Sequence, residues 1–349
     1  MSTKVKINDL SLEEVQVKIE NYRTTILALE AFISLITWDI INNKQIQGSR
    51  FSIGRRMDTS STNKISQNCT VTPDAVIQRE INLGYIVEIK KSLPKNQNDN
   101  WQEVIDQLVK YDDDLLGWWT DNEMISIPCP VLLLHISRSA DFGMYLDSLI
   151  NGKKLSFDKS VSIVEFDRSQ QVKEFIFLRL QWGKIENSDV LKNLKSGREI
   201  PVEKVLANPI YGEKKFCDFE PCPEHTMYIL WNDIFTGLKQ KVEYDQKLRA
   251  YPLRVNAEVL TLELQKLFGA EGNEPRQITY PRTEWIRNAL DCFVKIGSAN
   301  KIDDNGNYLI LFKLIKQNLL EIFRKWRDVI DSNEIDKQEI QPHLFETDL

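Results

Sequence analysis

Cysteine is scarce in this sequence: 349 residues contain only five, which are Cys69, Cys129, Cys217, Cys222 and Cys292. An odd number of cysteines argues against a framework of paired disulfides. The first residues are polar and show no secretory signal, so we expect a reducing compartment and a cytoplasmic protein. A disulfide-stabilised scaffold is therefore disfavoured.

Long apolar runs are missing as well. The longest covers residues 26–38, which is 13 residues, and it contains Glu30. A membrane-spanning helix needs about 20 consecutive apolar residues, so this stretch is too short and too interrupted to cross a bilayer. We therefore expect no membrane partner.

Positive charge is not in excess either, because 45 lysines and arginines face 51 aspartates and glutamates, for a formal net charge of -6. No global basic field points to nucleic acid, although a domain can concentrate positive charge locally while the whole chain stays acidic. Histidine is rare, at three residues, which gives little support to a histidine-based catalytic mechanism. The length fits two or three domains.

The first half of the chain predicts a mixed sheet flanked by helices. Helical periodicity covers residues 12–41 and 101–119, and strand patterns cover residues 74–80, 84–91, 131–136, 161–166 and 175–182. The order of helix, hairpin, helix and further strands is typical of an α/β domain. Residues 42–70 are polar, with Arg50, Arg55 and Arg56, and are interpreted as a long loop with at most one short strand.

The second half predicts a connector followed by a mainly helical domain. Residues 184–222 are polar and lysine-rich, and helical segments follow at residues 227–238, 256–268 and 283–296. Asn305-Gly306 lies between two extended runs, which is a strong hairpin signal. Three helices and a hairpin resemble a winged helix–turn–helix domain. A closing helix is predicted at residues 311–330. The predicted boundaries are 1–185, 186–223, 224–335 and a flexible acidic tail at 336–349.

One hairpin carries the residues with the clearest chemical pattern. Asp74 is followed, after 13 residues, by Glu88-Ile89-Lys90. Alternate residues of a strand share a face, so Glu88 and Lys90 project together while Ile89 points to the other side. Asp74 lies on the partner strand. The pattern therefore predicts two carboxylates and one ammonium at a single point.

Such a group suits phosphodiester hydrolysis. A hard divalent cation prefers oxygen ligands, which Asp74 and Glu88 supply, and the Ile89 carbonyl can add a third. The metal lowers the pKa of a bound water and neutralises charge on the phosphate. Lys90 can orient or deprotonate that water and stabilise the transition state.

The same residues resemble the PD-(D/E)XK, or restriction-endonuclease-like, nuclease superfamily. Its motif is present as Pro73-Asp74 and Glu88-Ile89-Lys90. The resemblance implies that Asp74 and Glu88 bind Mg²⁺ or Mn²⁺ and that Lys90 is the catalytic lysine. It further implies a restriction-endonuclease-like mixed sheet over roughly residues 12–182 and a metal-dependent nuclease that acts on DNA.

Two further positions fit this resemblance. Gln107 and Tyr111 are similar to the Q-x-x-x-Y motif of the RecB-like branch, in which both residues support the site or touch the substrate. They are four residues apart and share one helical face. Glu30 is the only charged residue between Arg23 and Asp39. It fits the acidic residue that the family tends to place on its first helix, although it can also reach solvent at the helix edge.

Other interpretations stay open. An E-x-K pattern arises easily by chance and then marks an exposed strand with a solvated ion pair. The chain can also be a non-catalytic DNA-binding or scaffold protein on a degenerate nuclease fold. It can act as a homodimer, or as a subunit that cuts only within a larger assembly in defence or recombination. The sequence does not decide DNA versus RNA.

A second cluster, Cys217, Cys222 and His225, offers three residues of zinc-binding type. Structural zinc sites usually need four ligands with tighter spacing, and no nearby fourth ligand is apparent. We interpret these residues as ordinary loop residues. His135 sits within an apolar run and is interpreted as a core histidine.

The winged-helix-like segment carries a modest set of cations. Arg282, Arg287 and Lys295 lie on the predicted recognition helix, Arg276 precedes it, and Lys301 lies at the wing. Neighbouring acidic residues dilute this patch. We expect contact with DNA, while dimerisation or binding of a partner protein is the alternative.

Overall fold

The computed structural model describes residues 7–39, 44–59, 70–91, 93, 99–169, 173–206, 215–217, 219–268, 276–313 and 325. The chain forms two compact units. The first, called the sheet unit, comprises residues 23–219 and 268–280. The second, called the C-terminal unit, comprises residues 1–22, 220–267 and 281–349.

The sheet unit contains the following described elements. Its helices are α1 (Ile7–Thr37) from residue 23 onward, α2 (Asp99–Tyr111), α3 (Ile136–Asn151), α4 (Ser188–Lys195) and α5 (Val202–Leu206). Its strands are β1 (Trp38–Asp39), β2 (Lys44–Gln45), β3 (Arg50–Ile53), β4 (Met57–Thr59), β5 (Thr70–Val71), β6 (Ala75–Glu80), β7 (Leu83–Lys90), β8 (Leu115–Leu116), β9 (Ile127–His135), β10 (Ser162–Ser169), β11 (Phe175–Gly183) and β12 (Arg198–Pro201).

A seven-stranded mixed sheet forms the centre of this unit, in the order β12-β11-β10-β9-β7-β6-β3. Strands β3, β6 and β7 are antiparallel neighbours, and β10, β11 and β12 are as well. Between these two groups, β7 pairs with β9 and β9 with β10 in parallel. The expectation of an α/β domain with a mixed sheet is therefore confirmed.

Both faces of the central strands are covered, which explains their continuous apolar sequences. Tyr85 of β7 meets Phe32 of α1 edge-on, with 6.3 Å between ring centroids. The opposite face packs on α2 and α3, where Trp101 and Phe142 lie 5.3 Å apart in the core. A strand that is covered on both sides needs apolar residues at successive positions rather than at alternate ones.

The hairpin prediction is confirmed. Strands β6 and β7 are joined at Ile81 and Asn82, and Ala75 pairs with Val87 in register. The following helix was predicted too long, because α2 ends at Tyr111 and β8 pairs with β4 four residues later. Apolar residues that are spaced like a helix there belong instead to a short strand and to a loop.

The interpretation of residues 42–70 as a loop with at most one strand is wrong within the described part. Residues 44–59 contain β2, β3 and β4, and β5 begins at residue 70. Strand β3 is the edge of the large sheet and pairs with β6. Residues 60–69 lie outside the described residues. Short polar strands give too few alternations to be recognised before their partners are known.

Four further elements were missed. Helix α3 follows β9 directly and is capped by His135, whose side chain accepts a hydrogen bond from the Ser137 N–H. The predicted connector contains α4, β12 and α5, and β12 extends the large sheet by pairing with β11. Residues 188–206 are therefore regular structure, because tertiary pairing outweighs their polar composition.

The C-terminal unit is built of short helices and a small sheet. Its elements are α6 (Pro223–Ile229), a π-helical segment (Leu230–Phe235), α7 (Thr236–Leu238), a 3₁₀ turn (Lys239–Lys241), β13 (Tyr251–Asn256), α8 (Ala257–Phe268), α9 (Thr283–Lys295), β14 (Ala299–Lys301) and β15 (Asn307–Phe312). Trp231 packs between Phe293 and Phe312, at 5.8 and 4.5 Å between ring centroids.

Several sequence predictions fall in this unit. The hairpin around Asn305-Gly306 is present as β14 and β15, with Gly306 at a φ of 81°. Strand β13, which pairs with β15, was not predicted. The predicted closing helix starts too early, since β15 continues to Phe312, and most of residues 314–330 and all of the acidic tail lie outside the described residues. Among the described helices, none combines the length and apolar character that crossing a membrane requires.

The packing at the end of β11 can be tested by a substitution at Gly183. Its φ is +79°, and an added Cβ would lie 2.1 Å from the Val161 carbonyl oxygen. We expect Gly183→Ala to lower the free energy of unfolding by about 2 kcal/mol or more, because both the backbone conformation and the space exclude a side chain. Urea denaturation measures this change. Gly143→Ala is the control, since a Cβ in α3 would meet only Trp182 side-chain atoms at 3.4 Å or more.

Candidate active site

Asp74 lies immediately before β6, opposite the end of β7. Its Oδ2 accepts a hydrogen bond from the Ile89 N–H at 2.8 Å, and the residue is 4% exposed. The last paired residues of the two strands are Ala75 and Val87. The Asp74 carboxylate therefore accepts the hydrogen bond that follows the last backbone pair of the two strands. This bond holds Asp74 against β7.

Glu88 and Lys90 project from the same face of β7, as the alternation predicts. The Lys90 Nζ lies 2.7 Å from the Glu88 Oε1. The Glu88 residue is 4% exposed, whereas 31% of the Lys90 side chain is exposed. A buried carboxylate is thus joined to an ammonium that still reaches the surface.

Tyr111 provides the second contact of Glu88. Its hydroxyl donates a hydrogen bond of 2.7 Å to the Glu88 Oε2, and its ring belongs to the buried core that α2 forms on the sheet. Burial of an ionised carboxylate costs several kcal/mol unless hydrogen bonds and opposite charge replace the lost water. Lys90 and Tyr111 supply that replacement, one at each oxygen of Glu88.

The other two predicted site residues lie on the flanking helices. Gln107 is one turn before Tyr111 on α2 and is partly buried. Glu30 is on α1 and is 1% exposed. Helix α1 packs through Phe32 on the face of β7 that carries Tyr85, whereas Glu88 points toward α2. The roles of Gln107 and Glu30 stay predictions.

The donor set at the hairpin end suits a hard cation. Asp74 and Glu88 offer carboxylate oxygens, and with Lys90 the formal charge of the three side chains sums to -1. No group of three His, Cys, Asp or Glu side chains is placed to hold a metal ion within the described part of the chain. A cation bound by Asp74 and Glu88 would therefore need further oxygens from the main chain, such as the Ile89 carbonyl, from water or from a phosphate.

His135 is not the core histidine that the sequence predicted. It ends β9 and caps α3, and its Nε2 lies 3.4 Å from the Asp167 Oδ1. The Lys91 Nζ lies over the Phe166 ring, 5.9 Å from its centroid. Burial lowers the pKa of both Lys91 and His135 below their ordinary values. Helix α3 was not predicted, so its cap was not recognised.

Glu165 is a further buried carboxylate that was not identified from the sequence. Glu165 of β10 is 2% exposed and is bound by Ser139 of α3 and by Arg179 of β11. The sequence did contain a sign of this buried carboxylate, because Glu165 lies between the apolar residues Val164 and Phe166. A charge within an apolar strand predicts a partner, but the sequence alone does not identify the partner.

The cysteine–histidine cluster divides between the two units. Cys217 belongs to the sheet unit and is buried. Cys222 and His225 belong to the C-terminal unit, at the N-terminus of α6. The His225 ring lies 4.4 Å from the Tyr22 ring, and burial raises the pKa of the Cys222 thiol to about 11. Without a metal ion that thiol is therefore protonated at neutral pH, and a metal would have to displace the proton on binding.

Comparison with protein-family models, with curated proteins and with solved structures found no match to this chain.

The Tyr111–Glu88 hydrogen bond can be tested by a double-mutant cycle. We expect Tyr111→Phe to lower the free energy of unfolding by about 1–3 kcal/mol, because the bond has an ionised acceptor and is buried. In Glu88→Gln the same change should cost less, since the charge is gone. Urea denaturation gives both values. Tyr145→Phe on α3 is the control and should be nearly neutral. Equal costs of Tyr111→Phe in the two backgrounds would contradict the coupling.

Proposed function

We propose that this protein is a metal-dependent nuclease of the PD-(D/E)XK type, which hydrolyses phosphodiester bonds in DNA. One observation carries the proposal: the Asp74 carboxylate is bound to the main chain at Ile89, between Glu88 and Lys90, which form an ion pair, and Tyr111 from the next helix binds Glu88. The mixed sheet with helices on both faces agrees with it. A chance E-x-K on an exposed strand has no reason to have both carboxylates buried.

Each residue has a separate role in the proposed reaction. Asp74 and Glu88 would hold Mg²⁺ or Mn²⁺, which supplies a Lewis acid and activates water. Tyr111 and the Ile89 N–H keep the two carboxylates in place, so that they need not reorganise when substrate arrives. The Lys90 ammonium, partly exposed beside Glu88, can donate a hydrogen bond to a phosphate oxygen or to the attacking water.

A non-catalytic nucleic-acid-binding protein is the alternative. A degenerate site typically loses one of the charged residues, whereas this chain has all three, Asp74, Glu88 and Lys90, at the end of one hairpin. Burying the carboxylates of Asp74 and Glu88 has a cost in stability. Catalysis gives a reason for that cost, so the nuclease is the better-supported function.

Single substitutions test the nuclease. We expect Asp74→Asn, Glu88→Gln and Lys90→Met each to reduce cleavage of supercoiled and linear DNA by 100-fold or more, on the order of what loss of one catalytic group costs. Combinations should cost little more than single changes, because the three residues act as one unit. Cleavage is measured with Mg²⁺, with Mn²⁺ and with EDTA.

Matched controls lie on the exposed face of α2. Glu103→Gln and Lys110→Met remove the same kinds of charge from the same unit and should leave the rate unchanged. Circular dichroism checks that every variant is folded. Wild-type cleavage by all three hairpin variants would refute the proposal, as would cleavage that persists in EDTA.

The proposal extends to the C-terminal unit as a winged-helix-like module that holds the substrate or a partner. What supports it is the sequence of helices followed by the β14–β15 hairpin, with Arg282 exposed at the N-terminus of α9. Arg287 on the same helix is 43% exposed and lies 3.4 Å from Glu258. This pairing reduces its free positive charge, so a modest contribution to affinity is expected.

Charge reversal separates the two possible roles of this module. If it contacts DNA, Arg282→Glu with Arg287→Glu should weaken binding and lower the salt dependence of the affinity by about two counterions. Cleavage at saturating protein should stay near the wild-type rate. Lys241→Glu with Lys247→Glu, which lies in the same unit, is the charge-matched control. Unchanged affinity and slope, together with altered assembly in analytical ultracentrifugation, would instead assign the module to a protein partner.

A further inference from the structure

Three strand pairings place an arginine in line with the candidate catalytic lysine. Lys90 of β7 pairs with Leu134 of β9, Leu134 pairs with Glu165 of β10, and Glu165 pairs with Arg179 of β11. Directly paired residues of neighbouring strands project from the same face of a sheet. Glu165 and Arg179 therefore lie on the face that carries Glu88 and Lys90.

Glu165 holds the Arg179 guanidinium in a fixed position. Its Oε1 accepts a hydrogen bond from the Arg179 Nε at 2.6 Å and lies 2.5 Å from Nη2. Its Oε2 accepts one from the Ser139 hydroxyl at 2.6 Å. The Glu165 side chain is 2% exposed, while 45% of the Arg179 side chain is exposed. A buried carboxylate thus anchors a cation that faces solvent.

This arrangement suits the binding of a phosphate. A guanidinium has five N–H donors, so the two nitrogens that face Glu165 do not exhaust it. Planar guanidinium groups match phosphate oxygens well. Because the anchor already restricts the side chain, less rotamer entropy is lost when a ligand binds.

We infer that Arg179, anchored by Glu165, binds a backbone phosphate of the nucleic acid other than the one that is cut. This inference rests on the proposed function for its choice of ligand. Three strand spacings of about 4.8 Å separate Lys90 on β7 from Arg179 on β11, so the two strand positions are roughly 14 Å apart. One phosphate cannot bridge that separation, and Arg179 therefore contacts a second phosphate of the same backbone.

A purely structural role makes a different prediction. If the network only ties α3 to β10 and β11, removal of Arg179 lowers stability and leaves the salt dependence of binding unchanged. If Arg179 contacts a phosphate, its removal releases about one counterion fewer, which is a decrease of roughly 0.9 in the slope of log affinity against log salt for duplex DNA.

The experiment measures the affinity of full-length protein for a fluorescently labelled DNA duplex across a sodium chloride series, in EDTA so that nothing is cut. We expect Arg179→Gln to lower both the affinity and the slope. Arg198→Gln is the matched control, because Arg198 of the neighbouring strand β12 pairs with Leu178 and so lies on the other face. The control should leave both quantities unchanged.

Two more variants separate charge from anchoring. Arg179→Lys keeps the charge, so it should retain the wild-type slope with weaker affinity; it also serves if Arg179→Gln does not fold. Glu165→Gln frees the arginine without removing it, so affinity should fall while the slope is retained. An Arg179→Gln protein that is folded and binds with wild-type slope overturns the inference, as does an equal change in Arg198→Gln.

Failure of this inference is distinct from failure of the proposed function. The binding series contains no metal and requires no cleavage, so a reduced slope in Arg179→Gln upholds the phosphate contact even if the protein cuts nothing. Metal-dependent cleavage with an unchanged slope upholds the nuclease and removes Arg179 from the substrate path. A wild-type protein that binds no DNA overturns the inference.

Discussion

Asp74 and Glu88 lie within protein rather than in water, and a buried carboxylate is stable only where other groups replace its hydration. The replacement comes from three groups on two elements: the Ile89 main chain and the Lys90 side chain of β7, and the Tyr111 hydroxyl of α2. The hairpin and α2 must therefore be placed together accurately. The same requirement excludes a loosely packed helix at this position, because a displaced Tyr111 leaves a carboxylate oxygen without its donor.

The position of β7 in the sheet explains why charged side chains lie at one end of this strand. This strand is antiparallel to β6 and parallel to β9, so the hairpin end near Asp74 coincides with the carboxyl ends of β7 and β9. Ligands of open α/β sheets bind beyond the carboxyl ends of parallel strands, where the connecting segments leave room. Lys90 and His135 both lie at this edge, as the final residues of their strands.

A chain with a formal charge of -6 can still meet a polyanion if its cations are concentrated and fixed. The sheet unit pairs a partly exposed cation with a buried carboxylate twice, as Lys90 with Glu88 and as Arg179 with Glu165. Each pair is formally neutral, which limits the field at long range. The orientation that the carboxylate imposes on its cation favours specific contacts at short range instead.

The sequence by itself determined the features that depend on neighbours along the chain. The β6–β7 hairpin, the shared face of Glu88 and Lys90, and the helix that carries Tyr111 all follow from periods of two and of about four residues. The continuous apolar run of β9 likewise identified a strand that is buried on both faces. Local spacing sufficed because each pattern spans only a few residues.

Tertiary structure alone decided the features that join distant segments. Strands β3 and β12 are too short and too polar to be recognised until they pair with β6 and β11, and α3 was missed with the cap that His135 provides. The pairing of Glu165 with Arg179 depends on strand register, which no local period specifies. Register is set by the packing of whole faces against helices, so the partner of a buried charge is known only once the sheet has formed.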